Sequence, residues 1–362
     1  MKNKLPKGWK EVEFGGIFTF QKKSTIKAGE GLSKGKYKFF TSSDKQSKYI
    51  DKYAQGGEFL IFATGGHAGV HYCNEKFATS TDCFVAKVDD KVMAKYVYYY
   101  LFSRIQILEE GFKGAGLKHI SKGYIEDIKI IYPENKETQK KIVSILEKAE
   151  KSKEWRKEAD DLTKDFLKSV FTEMFGDEKK FESVELGEVA RLINGRAYSQ
   201  EELLDKGKTL VLRVGNFFSN NSWYYSNLEL EEDKYCNKGD LLYAWSASFG
   251  PKIWDGPRAI YHYHIWKLEL NNKINKIFMF HLLEKKTNEI KSTGHGITMI
   301  HVTKAGIEKL MIPLPPLPLQ QKFASIVKEV ESMKEQQKHS KDQIDNLFNA
   351  LMQKAFKGEL KC

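Results

Sequence analysis

The sequence predicts an α+β protein in which two pseudo-twofold related domains are separated by two long helices packed as an antiparallel coiled coil. Three observations carry that prediction. The chain repeats itself with a shift of about 180 residues, and each repeat closes with about 40 residues whose apolar positions recur every three or four. Hydrophobic residues make up 41% and aromatics 13% of the 362 residues, enough material for two cores.

The repeat is read in order along the chain. Val12-Glu-Phe-Gly15 matches Val184-Glu-Leu-Gly187, and Gly57-Glu-Phe-Leu60 matches Gly239-Asp-Leu-Leu242; both pairs read as strand starts. Tyr96-Val-Tyr-Tyr-Tyr-Leu101 then matches Ile277-Phe-Met-Phe-His-Leu282, and His119-Ile-Ser-Lys matches His301-Val-Thr-Lys. Last, Gln139-Lys-Lys-Ile-Val-Ser-Ile145 matches Gln320-Gln-Lys-Phe-Ala-Ser-Ile326. One such match arises by chance, whereas five in register require a duplication. A unit this long is too large for a solenoid repeat and implies a pseudo-twofold molecule.

The boundaries follow from proline and glycine. Pro133 and the cluster Pro313, Pro315, Pro316, Pro318 mark helix entries, and Gly176 and Gly358 mark exits. The chain therefore divides into a first domain at 1–132, a helix at 133–177, a second domain at 178–312 and a second helix at 313–362. The first seam is Ile142, Ile145, Leu146, Ala149, Ala159, Leu162, Phe166, Val170 and Phe171. The second is Phe323, Ile326, Val327, Val330, Met333, Ile344, Leu347, Leu351 and Phe356. Lys and Glu fill the other faces, so each helix needs a partner for its stripe.

Charge and cysteine usage bound the environment. Lys and Arg (59) exceed Asp and Glu (48) by 11, and a pI near 9.1 suits a polyanion partner. Cys73, Cys83, Cys236 and Cys362 form no CxxC pair, which reads as a reducing compartment. The first residues lack an apolar signal core and no stretch is long enough to span a bilayer, so a soluble cytoplasmic protein is expected.

Catalytic signatures are missing where they would be needed. The one Pro-Pro pair, Pro315-Pro316, is flanked by leucines and not by the Asn/Asp and aromatic residue that hold a flipped base. Gly207-Lys208-Thr209 has Glu202 where a phosphate-binding loop needs glycine. Asp127-Ile-Lys129 reads as a strand edge. His262 and His264, alternating on a strand, read as core or DNA-facing residues because zinc would need two more close ligands.

The segment Ile312-Pro-Leu-Pro-Pro-Leu-Pro-Leu-Gln-Gln-Lys-Phe-Ala-Ser-Ile326, the ending Ile344 to Leu360 and the opening Leu186-Gly-Glu-Val189 together resemble type I restriction-modification specificity subunits. The first copy departs from that pattern in having Pro133 alone before Gln139. The resemblance implies two target recognition domains, each reading one half of a bipartite site in double-stranded DNA, and two helical spacers that set the distance between halves. It implies two modification (methyltransferase) subunits and restriction/translocase subunits as partners, with S-adenosylmethionine, ATP and Mg on those partners, no cofactor or metal in this chain and no catalysis by it.

Glycine-rich loops are the candidate reading surfaces, since they let backbone approach the duplex and present short polar or cationic side chains. In the first domain they offer Thr64, His67, Lys113, Lys118 and His119; in the second, Arg213, Asn216, Ser246, Ser248, Lys252, His295, Thr298 and His301. Two other readings stay open at this point: a coiled-coil scaffold binding proteins without sequence-specific DNA recognition, and an autonomous metal-dependent enzyme.

Overall fold

The computed structural model describes residues 5–218, 222–246, 248–292 and 303–360. The chain forms two compact units, one of Met1–Ala159 with Gln337–Cys362 and one of Asp160–Gln336. Each unit thus takes a share of both long helices, where the sequence reading set the helices apart as separate segments.

In the first unit the elements are β1 (Trp9–Glu13), β2 (Phe18–Phe20), β3 (Tyr37–Phe40), β4 (Lys48–Ile50), β5 (Gln55–Gly56), β6 (Phe59–Ala63), β7 (Val70–Cys73), β8 (Lys76–Thr79) and β9 (Cys83–Val88). Helices α1 (Ala94–Phe102), α2 (Ile105–Glu109) and α3 (Lys122–Glu126) follow, then β10 (Lys129–Pro133) and the long α4 (Lys136–Phe175). The second unit holds β11 (Glu182–Glu185), α5 (Leu186–Val189), β12 (Ala190–Asn194), β13 (Thr209–Leu212), α6 (Val214–Phe218), β14 (Tyr224–Ser226) and β15 (Tyr235–Cys236). It continues with β16 (Leu241–Ser246), β17 (Ser248–Ile253), β18 (Ala259–Tyr261), β19 (Ile265–Leu270), α7 (Lys276–Ser292), α8 (Lys304–Glu308), β20 (Met311–Leu314) and the long α9 (Leu317–Lys357).

The duplication read from sequence is present in the topology. Sheet order β2-β9-β6-β7 in the first unit recurs as β12-β19-β16-β17 in the second, and β4-β3-β8-β5 recurs as β14-β13-β18-β15. The strand senses agree as well, since β3 with β8 and β13 with β18 are the parallel pairs of otherwise antiparallel sheets. A two-stranded ribbon closes each unit, β1 with β10 and β11 with β20.

Period-two burial on both faces explains the central strands. In β6, Leu60 and Phe62 enter the main core under α1, while Phe59 and Ile61 enter a second cluster with Phe40 and Phe77. In β16, Leu241 and Tyr243 enter the main core under α7, while Leu242 and Ala244 join Leu212, Phe217 and Trp254. The matched Gly15 and Gly187 have one cause: a Cβ there would come within 3.1 Å of Glu126 and 3.2 Å of Glu308, so each lets a short helix press against the opening turn.

Gln139 and Gln320 do the same work in the two halves. Each is fully buried at the start of a long helix. Gln139 accepts from Met93 N at 2.9 Å and donates to Pro133 O at 2.8 Å, tying α4 to the start of α1. Gln320 accepts from Asn275 N at 2.7 Å and donates to Pro315 O at 2.7 Å, tying α9 to the start of α7. The missing prolines of the first copy therefore change nothing in this joint.

Within each unit a segment of α4 lies beside a segment of α9, and by connectivity the two run in opposite directions. In the first unit Ile142, Leu146 and Ala149 pack with Phe348, Met352, Ala355 and Phe356, and Lys153 pairs with Asp345 at 2.8 Å. In the second, Phe171 meets Phe323 and Phe278 with ring centroids 5.3 and 5.9 Å apart, beside Leu167, Phe175, Val327 and Val330. Part of the expected seam is corrected: Leu162, Phe166, Met333 and Leu347 are exposed, at 64%, 49%, 45% and 56%. Leu167 and Phe175, one face over, take the buried places. Among the described residues no helix is long and apolar enough to cross a membrane.

Candidate nucleic-acid interface

In the first unit three connections converge at the far end of the β6–β7 hairpin. The loop 64–69 that joins the two strands is bridged to residues 113–119. Lys113 and His119 exchange backbone hydrogen bonds of 3.0 Å, Gly66 N donates to Lys118 O at 3.2 Å, and Ile120 N donates to Thr64 O at 3.2 Å. The turn after β3 joins them through the Ser42 hydroxyl, which accepts from Gly65 N at 2.8 Å and donates to Gly65 O at 2.5 Å.

The expected residues of this domain are thus brought together, with different exposures. His67, Lys113, Lys118 and His119 are exposed, whereas Thr64 is buried and serves the loop's own packing. His119 Nδ1 lies 3.0 Å from Thr64 O; a carbonyl accepts only, so Nδ1 carries the hydrogen. His71 is held inside by its Nε2 contact to Ser43 O at 2.8 Å, and burial pushes its pKa down.

In the second unit the equivalent hairpin, β16–β17, packs against α6, which follows β13 as the Ser42 turn follows β3. Arg213 is exposed at the head of α6, its guanidinium 5.1 Å from the centre of the Tyr224 ring. Asn216 is buried and shapes the turn, accepting from Arg213 N at 3.3 Å and donating to Ser222 O at 2.8 Å. Ser248 is exposed on the hairpin, Ser246 is buried, and Lys252 is half-buried with its ammonium 3.5 Å from Phe217 O. His295, Thr298 and His301 lie outside the described residues.

The expectation that His262 and His264 alternate on a strand is corrected. They sit in the turn between β18 and β19, packed on Tyr263 and Trp245. Burial, with His264 and Arg213 nearby, pushes the His262 pKa from its ordinary 6.5 down to about 4, so the ring is neutral at pH 7. Asp127 lies just before β10 and Lys129 opens it, on the strand edge expected of them. Ser42, Ser43, Phe218 and Tyr224 also belong to these surfaces; glycine-rich loops do not point to them, because none of these positions carries glycine. A polar or aromatic run directly after the matched strands β3 and β13 was the available signal.

The comparisons with known proteins bear on both units. The family described as Type I restriction modification DNA specificity domain matches residues 6–159 and 178–346. The chain belongs to this family. Among relatives of the specificity family, the MjaVIII specificity subunit of Methanocaldococcus jannaschii is 23% identical over 99% of this chain and 94% of its own length. The EcoDI specificity subunit of Escherichia coli is 23% identical over 99% and 90%. The solved S subunit from M. genitalium superimposes with a TM-score of 0.61 at 18% identity over 98% of this chain and 97% of that one. A chain solved in work on assembly and conformational transition of the type I R-M system gives 0.64 at 17% identity over 99% and 100%. These two share the fold of this specificity-family chain across its whole length, and family membership does not favour the scaffold reading.

Proposed function

We propose that the chain is the sequence-reading subunit of a type I restriction-modification complex, with each unit reading one half of a bipartite DNA target. One observation carries this: the same sheet topology occurs twice, and in both copies cationic side chains stand beside the equivalent hairpin. Lys113 and Lys118 in one copy and Arg213 and Lys252 in the other suit phosphates, and His119 beside the first pair suits a base edge. The paired helices set the distance between the half-sites. Methylation and cleavage belong to partner subunits that carry S-adenosylmethionine, ATP and Mg; this chain supplies recognition and docking.

The helices also suit docking of a methyltransferase. Leu162, Phe166 and Met333, all exposed, line one open apolar hollow of about 540 Å³ on the second unit, which offers a partner an apolar foothold. The test is DNA binding by the chain with its methyltransferase partner across a salt series. Binding that is sequence-selective and falls steeply with salt supports the reading. Weak, salt-insensitive binding without sequence preference contradicts it.

A further inference from the structure

We infer that Phe218 reads a thymine methyl group in the half-site of the second unit, and that the first unit has no counterpart of this contact. The inference rests on the DNA-reading role proposed above and names one determinant within it. Phe218 closes α6 and is 49% exposed, while its neighbour Phe217 is 4% exposed and does the packing for that helix. The core therefore has no need of the second ring. The two rings meet edge to face at 5.5 Å, and the Phe218 ring lies over β17 at Gly250. Gly250 has φ 148, so a side chain there would strain the backbone, and the ring edge lies at ordinary contact distance, 3.8 Å, from where its Cβ would be.

The surroundings give the ring its proposed target. Arg213 heads the same short helix, and the Lys252 ammonium reaches the Phe217 carbonyl at the helix end. Cations at the head and the end of this short helix suit phosphates, and the exposed ring between them in sequence is then available to a groove. In the major groove the edges of the bases present hydrogen-bonding groups and one apolar group, the C5 methyl of thymine. The equivalent connection after β3, residues 41–46, is Thr-Ser-Ser-Asp-Lys-Gln and carries no ring. The contact is therefore one-sided although the fold is twofold.

The test uses the full chain with its methyltransferase partner on duplexes enriched from a randomised pool, with each thymine of the enriched site replaced singly by deoxyuridine. For the unaltered protein, replacement of one thymine, in one half-site only, weakens binding about fourfold, the effect of one methyl group. Phe218→Ala loses that sensitivity, whereas Phe218→Leu, which keeps an apolar surface, retains part of it. Affinity for non-specific duplex, unchanged in both variants, shows that they are folded. If two half-sites are enriched and no thymine is sensitive to deoxyuridine, or Phe218→Ala stays as sensitive as the unaltered protein, the thymine contact is wrong and the DNA-reading role stands. If no sequence is enriched at all, the DNA-reading role falls and this contact with it.

Discussion

Lys118 and Lys252 stand beside the equivalent hairpins of the two copies, and their proposed partners are phosphates. Replacing either with Ala should weaken binding to all duplexes alike and lower the slope of log affinity against log salt by about one, read from a salt titration. His262 makes a separate prediction about stability. Its folded pKa of about 4 lies below the ordinary 6.5, so in that window the unfolded chain binds the proton that the folded chain refuses. Stability should therefore fall as pH drops from about 6.5 towards 4, and His262→Gln should flatten the fall in denaturant midpoints. At this scale the sequence told only part of the site. Glycine loops located the 64–71 and 113–119 surfaces, because such sequences turn whatever their role. They could not separate exposed His67, Lys118 and Arg213 from buried Thr64, Asn216 and Ser246, since a short polar side chain satisfies a loop's backbone as readily as it meets a base.

The elements show why the helices were legible in extent and less so in facing. Proline and glycine placed the limits of α4 and α9 within a few residues, as capping chemistry requires. The periodicity was less decisive, because steps of three and four suit two adjacent faces, and Leu162 and Phe166 fit one while Leu167, Phe171 and Phe175 fill the other. Substitution separates them. Phe171→Ala should cost about 3–5 kcal/mol in chemical denaturation, since it empties a site among four aromatic rings. Phe166→Ser should change stability by no more than about 0.5 kcal/mol, while reducing co-purification with the proposed methyltransferase partner. The glutamine joints are sharper still. Gln320→Ala leaves Asn275 N and Pro315 O without their partner in a buried place, a loss of about 2–3 kcal/mol.

For the whole molecule the decisive feature is the duplication, which sequence revealed because the matched motifs are joints: glycines under close contacts, a buried glutamine and the caps of α3 and α8. Ser121 and Thr303 cap those helices by accepting from Tyr124 N at 3.1 Å and Gly306 N at 3.2 Å, so the match His119-Ile-Ser-Lys with His301-Val-Thr-Lys includes a shared cap. Loop surfaces share no such constraint and diverged. The proposed spacer role predicts that removing one turn from α4 and α9 together shortens the tolerated gap between half-sites by one or two base pairs, since a turn is about 5.4 Å. An unchanged gap would end that idea. The central claim, that two related modules read two separate stretches of duplex, is tested most directly by expressing the chain with its proposed methyltransferase partner and mapping methylated adenines across a genome. The account predicts two short read sequences divided by a fixed number of unread base pairs. A single continuous motif, or methylation indifferent to this chain, would contradict it.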